Sequence, residues 1–287
     1  MRGARVEVLQ YALCRGLSPY DPLVGVGVLL RRPSTPDSTN REASLESVVM
    51  ATFVLVHGAG DVGWYWHLTE AELRARGHET IAPDLPCDND TASLDDYVGT
   101  VADAVGARRD LVIVGQSYGA FTATLAASRL PARLLVLLAG MIPAPGETPA
   151  QWWTNTGYRQ AADEQAALDG GGTGNDDPLV TFYNGVPREL ADEAMRRGAR
   201  GESSTVFDTP WPLEAWPDVP TRFIVCKDDH LFPARFMRRQ ASERLGITPD
   251  EIPGCHCVAL SHPEQLSDLL VSYLDPLSGA ARLAGAG

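Results

Sequence analysis

Ser117 sits at the centre of Gly115-Gln116-Ser117-Tyr118-Gly119, directly after the apolar run Leu111-Val112-Ile113-Val114 and directly before Ala120-Phe121-Thr122-Ala123-Thr124-Leu125-Ala126-Ala127. The order is strand, pinched turn, helix, with glycines two residues either side that let the backbone turn sharply and thrust the hydroxyl clear of the sheet. An ordinary serine in a glycine-rich turn would need no partners. A nucleophilic one needs two, because a hydroxyl attacks only when a base takes its proton, and the base in turn needs a carboxylate to fix its tautomer. Downstream, the loop Cys226-Lys227-Asp228-Asp229-His230-Leu231-Phe232-Pro233 follows a strand-like Arg222–Cys226 and offers two adjacent acids, Asp228 and Asp229. For the base, His256 lies in a short loop just after the strand-like Asp250–Ile252, where it can reach back over a sheet. His262 precedes Pro263 at a helix start and reads as an N-terminal turn residue.

Acyl chemistry also needs donors for a developing oxyanion, usually one N–H from the residue after the nucleophile and one from the first strand–helix loop. Tyr118 supplies the first. His57-Gly58-Ala59-Gly60, at the end of Phe53–Val56, supplies the second through Ala59. His57 reads as a residue bonding the loop backbone, and Asp84 in Pro83-Asp84-Leu85-Pro86 as a cap or brace. His67, His78 and His230 have no pattern around them.

The elements that must position these side chains alternate from Met50 onward. Strands are expected at Phe53–Val56, Glu79–Ala82, Leu111–Val114, Leu134–Leu138, Arg222–Cys226 and Asp250–Ile252. Helices are expected near Trp66–Arg76, Leu94–Val105, Ala234–Leu245 and Pro263–Tyr273. This alternation of short apolar runs with helical patterns predicts an α/β fold, a mostly parallel sheet with helices on both faces. The rhythm breaks over residues 143–218, rich in Pro, Gly and Trp. Helical pieces at Pro149–Leu168 and Arg188–Arg197 flank a flexible, acidic Asp169–Asp177 there, and the whole reads as a helical lid inserted over the serine. Trp152, Trp153 and Trp211 are its candidate substrate-binding residues, with packing against the sheet as the alternative role for each. The organisation expected is a core of residues 50–142 and 219–276, a lid of 143–218 and a tail of 277–287. Residues 1–49 read as an N-terminal extension, disordered or upstream of a functional start at Met50. The alternative there is that Val6–Leu13 and Val24–Leu30 form edge strands.

The chain has 287 residues, 44% of them hydrophobic, enough for one domain with a sizeable insertion. Its formal net charge of −13 disfavours nucleic acid or an anionic membrane as partner. No run approaches the ~20 apolar residues of a membrane span, and Cys14, Cys87, Cys226, Cys255 and Cys257 show no disulfide framework. Together these point to a cytoplasmic protein. In Cys255-His256-Cys257 the cysteines stand closer than zinc ligands usually do, so no metal is expected.

Taken together, His57-Gly58-Ala59-Gly60 with Trp64 and Trp66, Gly-Gln-Ser-Tyr-Gly, the Asp228-Asp229 loop and Gly254–Ser261 resemble the α/β-hydrolase superfamily over residues 51–275. The nearest branch is that of cap-bearing esterases related to plant methylesterases and hydroxynitrile lyases. The resemblance implies an α/β-hydrolase fold and a triad of Ser117, Asp229 and His256, with Ala59 and Tyr118 as oxyanion donors. It selects Asp229 over Asp228 because the family's acid stands four residues before a proline, here Pro233. Hydroxynitrile lyases carry a threonine where Gly58 stands and a lysine where Cys257 stands, which favours ester hydrolysis here. Dehalogenases and epoxide hydrolases carry aspartate in place of the serine. The expected activity is hydrolysis of a small, mostly uncharged carboxylic ester through an acyl-enzyme, with no cofactor and a small-molecule partner only. Cyanohydrin cleavage, acyl transfer, C–C hydrolysis on the same triad, or a slow-turnover ligand receptor are the alternatives.

Overall fold

The computed structural model describes residues 50–275. Six strands form one sheet in the order β2-β1-β3-β4-β5-β6, with β1 Thr52–Val56, β2 Glu79–Ile81, β3 Leu111–Gln116, β4 Ala132–Leu138, β5 Thr221–Cys226 and β6 Asp250–Ile252. Every pairing is parallel, so the sheet of the described residues is wholly rather than mostly so. The register sets Val56 beside Gly115, and Gln116 beside Leu138, which brings the exits of β1, β3 and β4 together at one edge.

Both faces of the sheet are apolar, which is why its strands read as continuous hydrophobic runs instead of alternating ones. Val54, Ile113, Leu135, Leu137, Phe223 and Val225 face one side. They pack there against helices α2 (Leu94–Val105), α3 (Gly119–Arg129) and α9 (Ala234–Leu245). Phe53, Leu55, Val112, Val114, Val136 and Ile224 face the other, against α1 (His67–Ala75), α10 (Val258–Ser261) and α11 (Pro263–Ser272). Local chemistry sets the ends of α2: Ser93 accepts from the Asp96 N–H while Asp96 accepts from the Ser93 N–H, and Gly106 follows at φ 60°.

Between β4 and β5 lie α4 (Pro149–Asn155), α5 (Tyr158–Leu168), α6 (Pro178–Thr181), α7 (Arg188–Arg197) and α8 (Ser204–Asp208). Three details differ from expectation. Pro149–Leu168 is two helices, because Gly157 takes a left-handed φ of 69° and redirects the chain. Asp169–Asp177 is a tied turn instead of a flexible stretch: the Asp169 carboxylate accepts from the N–H groups of Gly171, Gly172 and Thr173 and from the Thr173 hydroxyl. The single-turn helices α6 and α8 were not anticipated. The extension 1–49, its two suggested strands and the tail 277–287 lie outside the described residues.

Candidate active site

β3 ends at Gln116 and α3 begins at Gly119, leaving two residues for the turn. Ser117 has φ 53°, a left-handed conformation that a non-glycine residue adopts only when its surroundings hold it there. Here its N–H donates to the Leu138 carbonyl at 3.1 Å, and its own carbonyl accepts from Met141 N–H at 3.0 Å. The flanking glycines are required by close approach. A Cβ on Gly119 would stand 2.1 Å from the His57 carbonyl oxygen, and one on Gly115 would stand 2.5 Å from the Ala123 Cβ. The serine is thereby presented on the wall of a cavity of about 680 Å³, a wall that also includes Ala59, Tyr118, Met141, Trp153 and His256.

His256 follows β6 and is buried. Its Nδ1–H donates to Asp229 Oδ2 at 2.8 Å, which leaves Nε2 as the nitrogen free to accept a proton. Phe182 and Phe232 meet the imidazole edge-on, with centroids 5.7 and 5.3 Å away, and fix the ring plane. The other Asp229 oxygen accepts from the Leu231 and Phe232 N–H groups, both at 2.8 Å, so the carboxylate is pinned at both ends. Asp228 does different work. Its Oδ2 accepts from the Gly254 N–H at 2.8 Å, tying the loop after β5 to the loop that carries His256.

Tyr118 precedes α3, and its N–H is one of the donors that a helix leaves unpaired at its start. Ala59 is exposed on the opposite loop. His57, one residue past β1, is fully buried and locks that loop: Leu85 N–H donates to its Nε2 at 3.0 Å, so its Nδ1–H donates to the Gly58 carbonyl at 2.8 Å. Burial lowers its pKa to about 4, keeping the ring neutral. Asp84 accepts from the Gly63 N–H at 2.7 Å, the bracing role expected of it.

Of the three tryptophans, Trp153 lines the cavity. Trp152 is fully buried, with its indole N–H on the Ile142 carbonyl at 3.1 Å, and Trp211 packs edge-on against Phe121; neither is part of the cavity wall. His262 bonds the neighbouring Ser261 hydroxyl and stands at the start of α11. Sequence reasoning missed the acidic residues of the wall, among them Asp61 and Glu202 beside the Ala59 loop. Burial raises both carboxyls to about 7. Neither belongs to a motif, and Glu202 comes from the segment between β4 and β5, far from any recognisable pattern. Among the described residues no group of His, Cys, Asp or Glu side chains is arranged to hold a metal, and no helix is long and apolar enough to cross a membrane.

Comparison with known proteins gives the family. Residues 53–269 match the model of the alpha/beta hydrolase family. The probable esterase PIR7A of Oryza sativa subsp. japonica is 36% identical over 252 residues, covering 76% of this chain and 95% of that one. Salicylic acid-binding protein 2 of Nicotiana tabacum is 26% identical, covering 75% and 93%. The crystal structure of a pyrethroid hydrolase from Sphingobium faniae JZ-2 superposes with a TM-score of 0.66 at 23% identity, over 80% of this chain and all of that one, and shares the fold. With the family match spanning most of the sequence and a relative above one-third identity over nearly its full length, the chain belongs to the alpha/beta hydrolase family.

Proposed function

We propose that the protein is a serine esterase that cleaves a small, mostly uncharged carboxylic ester through an acyl-enzyme. One observation carries this reading: Ser117, in its left-handed turn, and His256, held on Asp229 at 2.8 Å, stand on the wall of one cavity. His256 Nε2 takes the hydroxyl proton as Ser117 Oγ attacks the ester carbonyl. The N–H groups of Ala59 and Tyr118 receive the oxyanion, and Asp229 stabilises the imidazolium through Nδ1. As the tetrahedral intermediate collapses, the alcohol leaves with the proton from His256. Water then attacks the acyl-enzyme with His256 again as base, and carboxylic acid and free serine result. Relatives named as esterases and hydrolases support the same reaction class. In this reading residues 50–142 and 219–276 are the catalytic core. Residues 143–218 are a lid, which supplies Trp153, Phe182 and Tyr183 to the wall and so sets the substrate range.

Intact-mass analysis after treatment with a fluorophosphonate tests the assignment. One adduct per chain, mapped to Ser117 and absent in Ser117→Ala, is expected, with kcat on short-chain p-nitrophenyl esters falling by about 10⁶-fold in that variant. Near-normal turnover by Ser117→Ala refutes it.

A further inference from the structure

The loop carrying Ala59 is gripped by a stretch of chain that no motif marks. Arg200 N–H donates to the Gly60 carbonyl at 3.2 Å, and Gly60 N–H donates to Glu202 Oε2 at 3.0 Å. Both polar groups of Gly60 are thus taken by residues 200–202. The fit is close, since a Cβ on Gly60 would stand 2.7 Å from the Arg200 carbonyl oxygen. The other Glu202 oxygen accepts from the hydroxyl of the fully buried Tyr97 at 2.6 Å. The strap is itself stitched down: the Ser203 hydroxyl donates to the Ala92 carbonyl at 2.6 Å, and Arg200 pairs with Asp88 at 2.6 Å.

Peptide planarity makes this grip matter. The Ala59 N–H and the Gly58 C=O belong to one rigid unit and point in opposite directions. That unit is held at its oxygen by the His57 ring. The next unit, Ala59 C=O with Gly60 N–H, is held at its nitrogen by Glu202. Ala59 therefore has both of its soft torsions fixed, one by a core histidine and one by a carboxylate from the segment between β4 and β5.

Resting on the esterase reading, we propose that Glu202 is a positioning residue: it fixes the Ala59–Gly60 peptide on one side of the Ala59 Cα while His57 fixes the Gly58–Ala59 peptide on the other, and the two together hold the loop so that the Ala59 N–H stays where the oxyanion forms. It touches no reacting atom. With an apolar residue at 202, the Gly60 N–H and the Tyr97 hydroxyl both lose the carboxylate and keep beside them only the buried Cys87 thiol, a weak acceptor, so the Ala59–Gly60 peptide is held far more loosely. Glutamine keeps the grip, since its carbonyl can accept from Gly60 while its amide donates to the Tyr97 oxygen.

The test compares wild type, Glu202→Leu, Glu202→Gln and Tyr97→Phe, using a p-nitrophenyl ester as substrate and a trifluoromethyl ketone as a probe that forms a tetrahedral adduct. In Glu202→Leu, kcat is expected to fall about 10- to 100-fold, below the loss from deleting an oxyanion donor outright. KM should stay within about two-fold, and ketone affinity should weaken by the same factor as kcat/KM. Glu202→Gln is expected to recover most of the loss. Wild-type kcat and ketone affinity in Glu202→Leu overturn the proposal, as does a loss confined to KM or one that glutamine does not restore. Should Glu202→Leu not fold, Tyr97→Phe, which frees one side of the carboxylate, is expected to lower kcat about 3- to 10-fold at constant KM; wild-type values there overturn the proposal equally. A wild-type protein that takes no fluorophosphonate at Ser117 sinks the esterase reading itself, a result separable from all of these.

Discussion

Two neighbouring aspartates in one loop divide the labour, and their bonds tell them apart. Asp229 holds the imidazole and is itself held by two backbone N–H groups, whereas Asp228 ties two loops together. Replacing the first with asparagine puts an amide where His256 donates and favours the wrong tautomer, so kcat is expected to fall about 10⁴-fold with little change in thermal midpoint. Replacing the second should leave kcat within a few-fold and lower the midpoint by a few degrees, the effect of about 1 kcal/mol lost with one loop bond. Steady-state kinetics and thermal unfolding on both variants check the division. At this scale the sequence was informative wherever chemistry forces a pattern. Ser117 announced itself through its glycines, and His256 through its short loop after a strand. Between Asp228 and Asp229 the residues alone left the choice open, since either could point inward; only likeness to a family separated them. Asp61 and Glu202 carried no signal because nothing local distinguishes a carboxylate facing a cavity from one facing water.

At the scale of elements, the turn from β3 into α3 leaves no room for a side chain at its glycines. A methyl on Gly119 collides with backbone, which cannot swing aside as a side chain can. Gly119→Ala is therefore expected to destabilise the fold by about 1–3 kcal/mol in urea titrations. It should also reduce kcat in molecules that remain folded, because the Tyr118 N–H moves with the helix start. A stable, fully active Gly119→Ala would show that the turn can shift at no cost. The core strands were legible as short apolar runs buried on both faces, and the core helices by an apolar stripe on one face. Helix α9 matched the expected boundaries for that reason, whereas β6, Asp250-Glu251-Ile252, matched them without such a run. The segment between β4 and β5 was less legible. Its helices are short, its Trp152 and Trp211 serve packing, and its break at Gly157 depends on a backbone conformation that glycine permits without compelling.

For the molecule as a whole, three groups shifted by desolvation contribute to how stability responds to pH. Asp61 and Glu202, ordinarily acids of about 4, are raised to about 7 in the fold. Between those values the folded chain holds two protons that the unfolded chain has released, so stability falls as pH rises, by up to about 1.4 kcal/mol per pH unit per proton. His57 acts in the opposite sense. Lowered from 6.5 to about 4, it makes the unfolded chain the better proton binder between those values and adds stability as pH rises. Relative to wild type, an Asp61→Asn, Glu202→Gln double variant should therefore gain stability steadily from pH 5 to pH 7.5. Urea midpoints at half-unit intervals measure this; a wild-type minus variant difference that does not change with pH refutes it.

The order of the sheet has a consequence in time. Ser117 leaves β3 near the middle of the sheet, whereas His256 waits for β6, which among the described residues is an edge strand, the last in sequence, and pairs with β5 alone. During synthesis the nucleophile emerges and turns its corner long before its proton acceptor exists. In the esterase reading, a half-made chain is therefore chemically silent, and reactivity is switched on only when β6 has docked on β5.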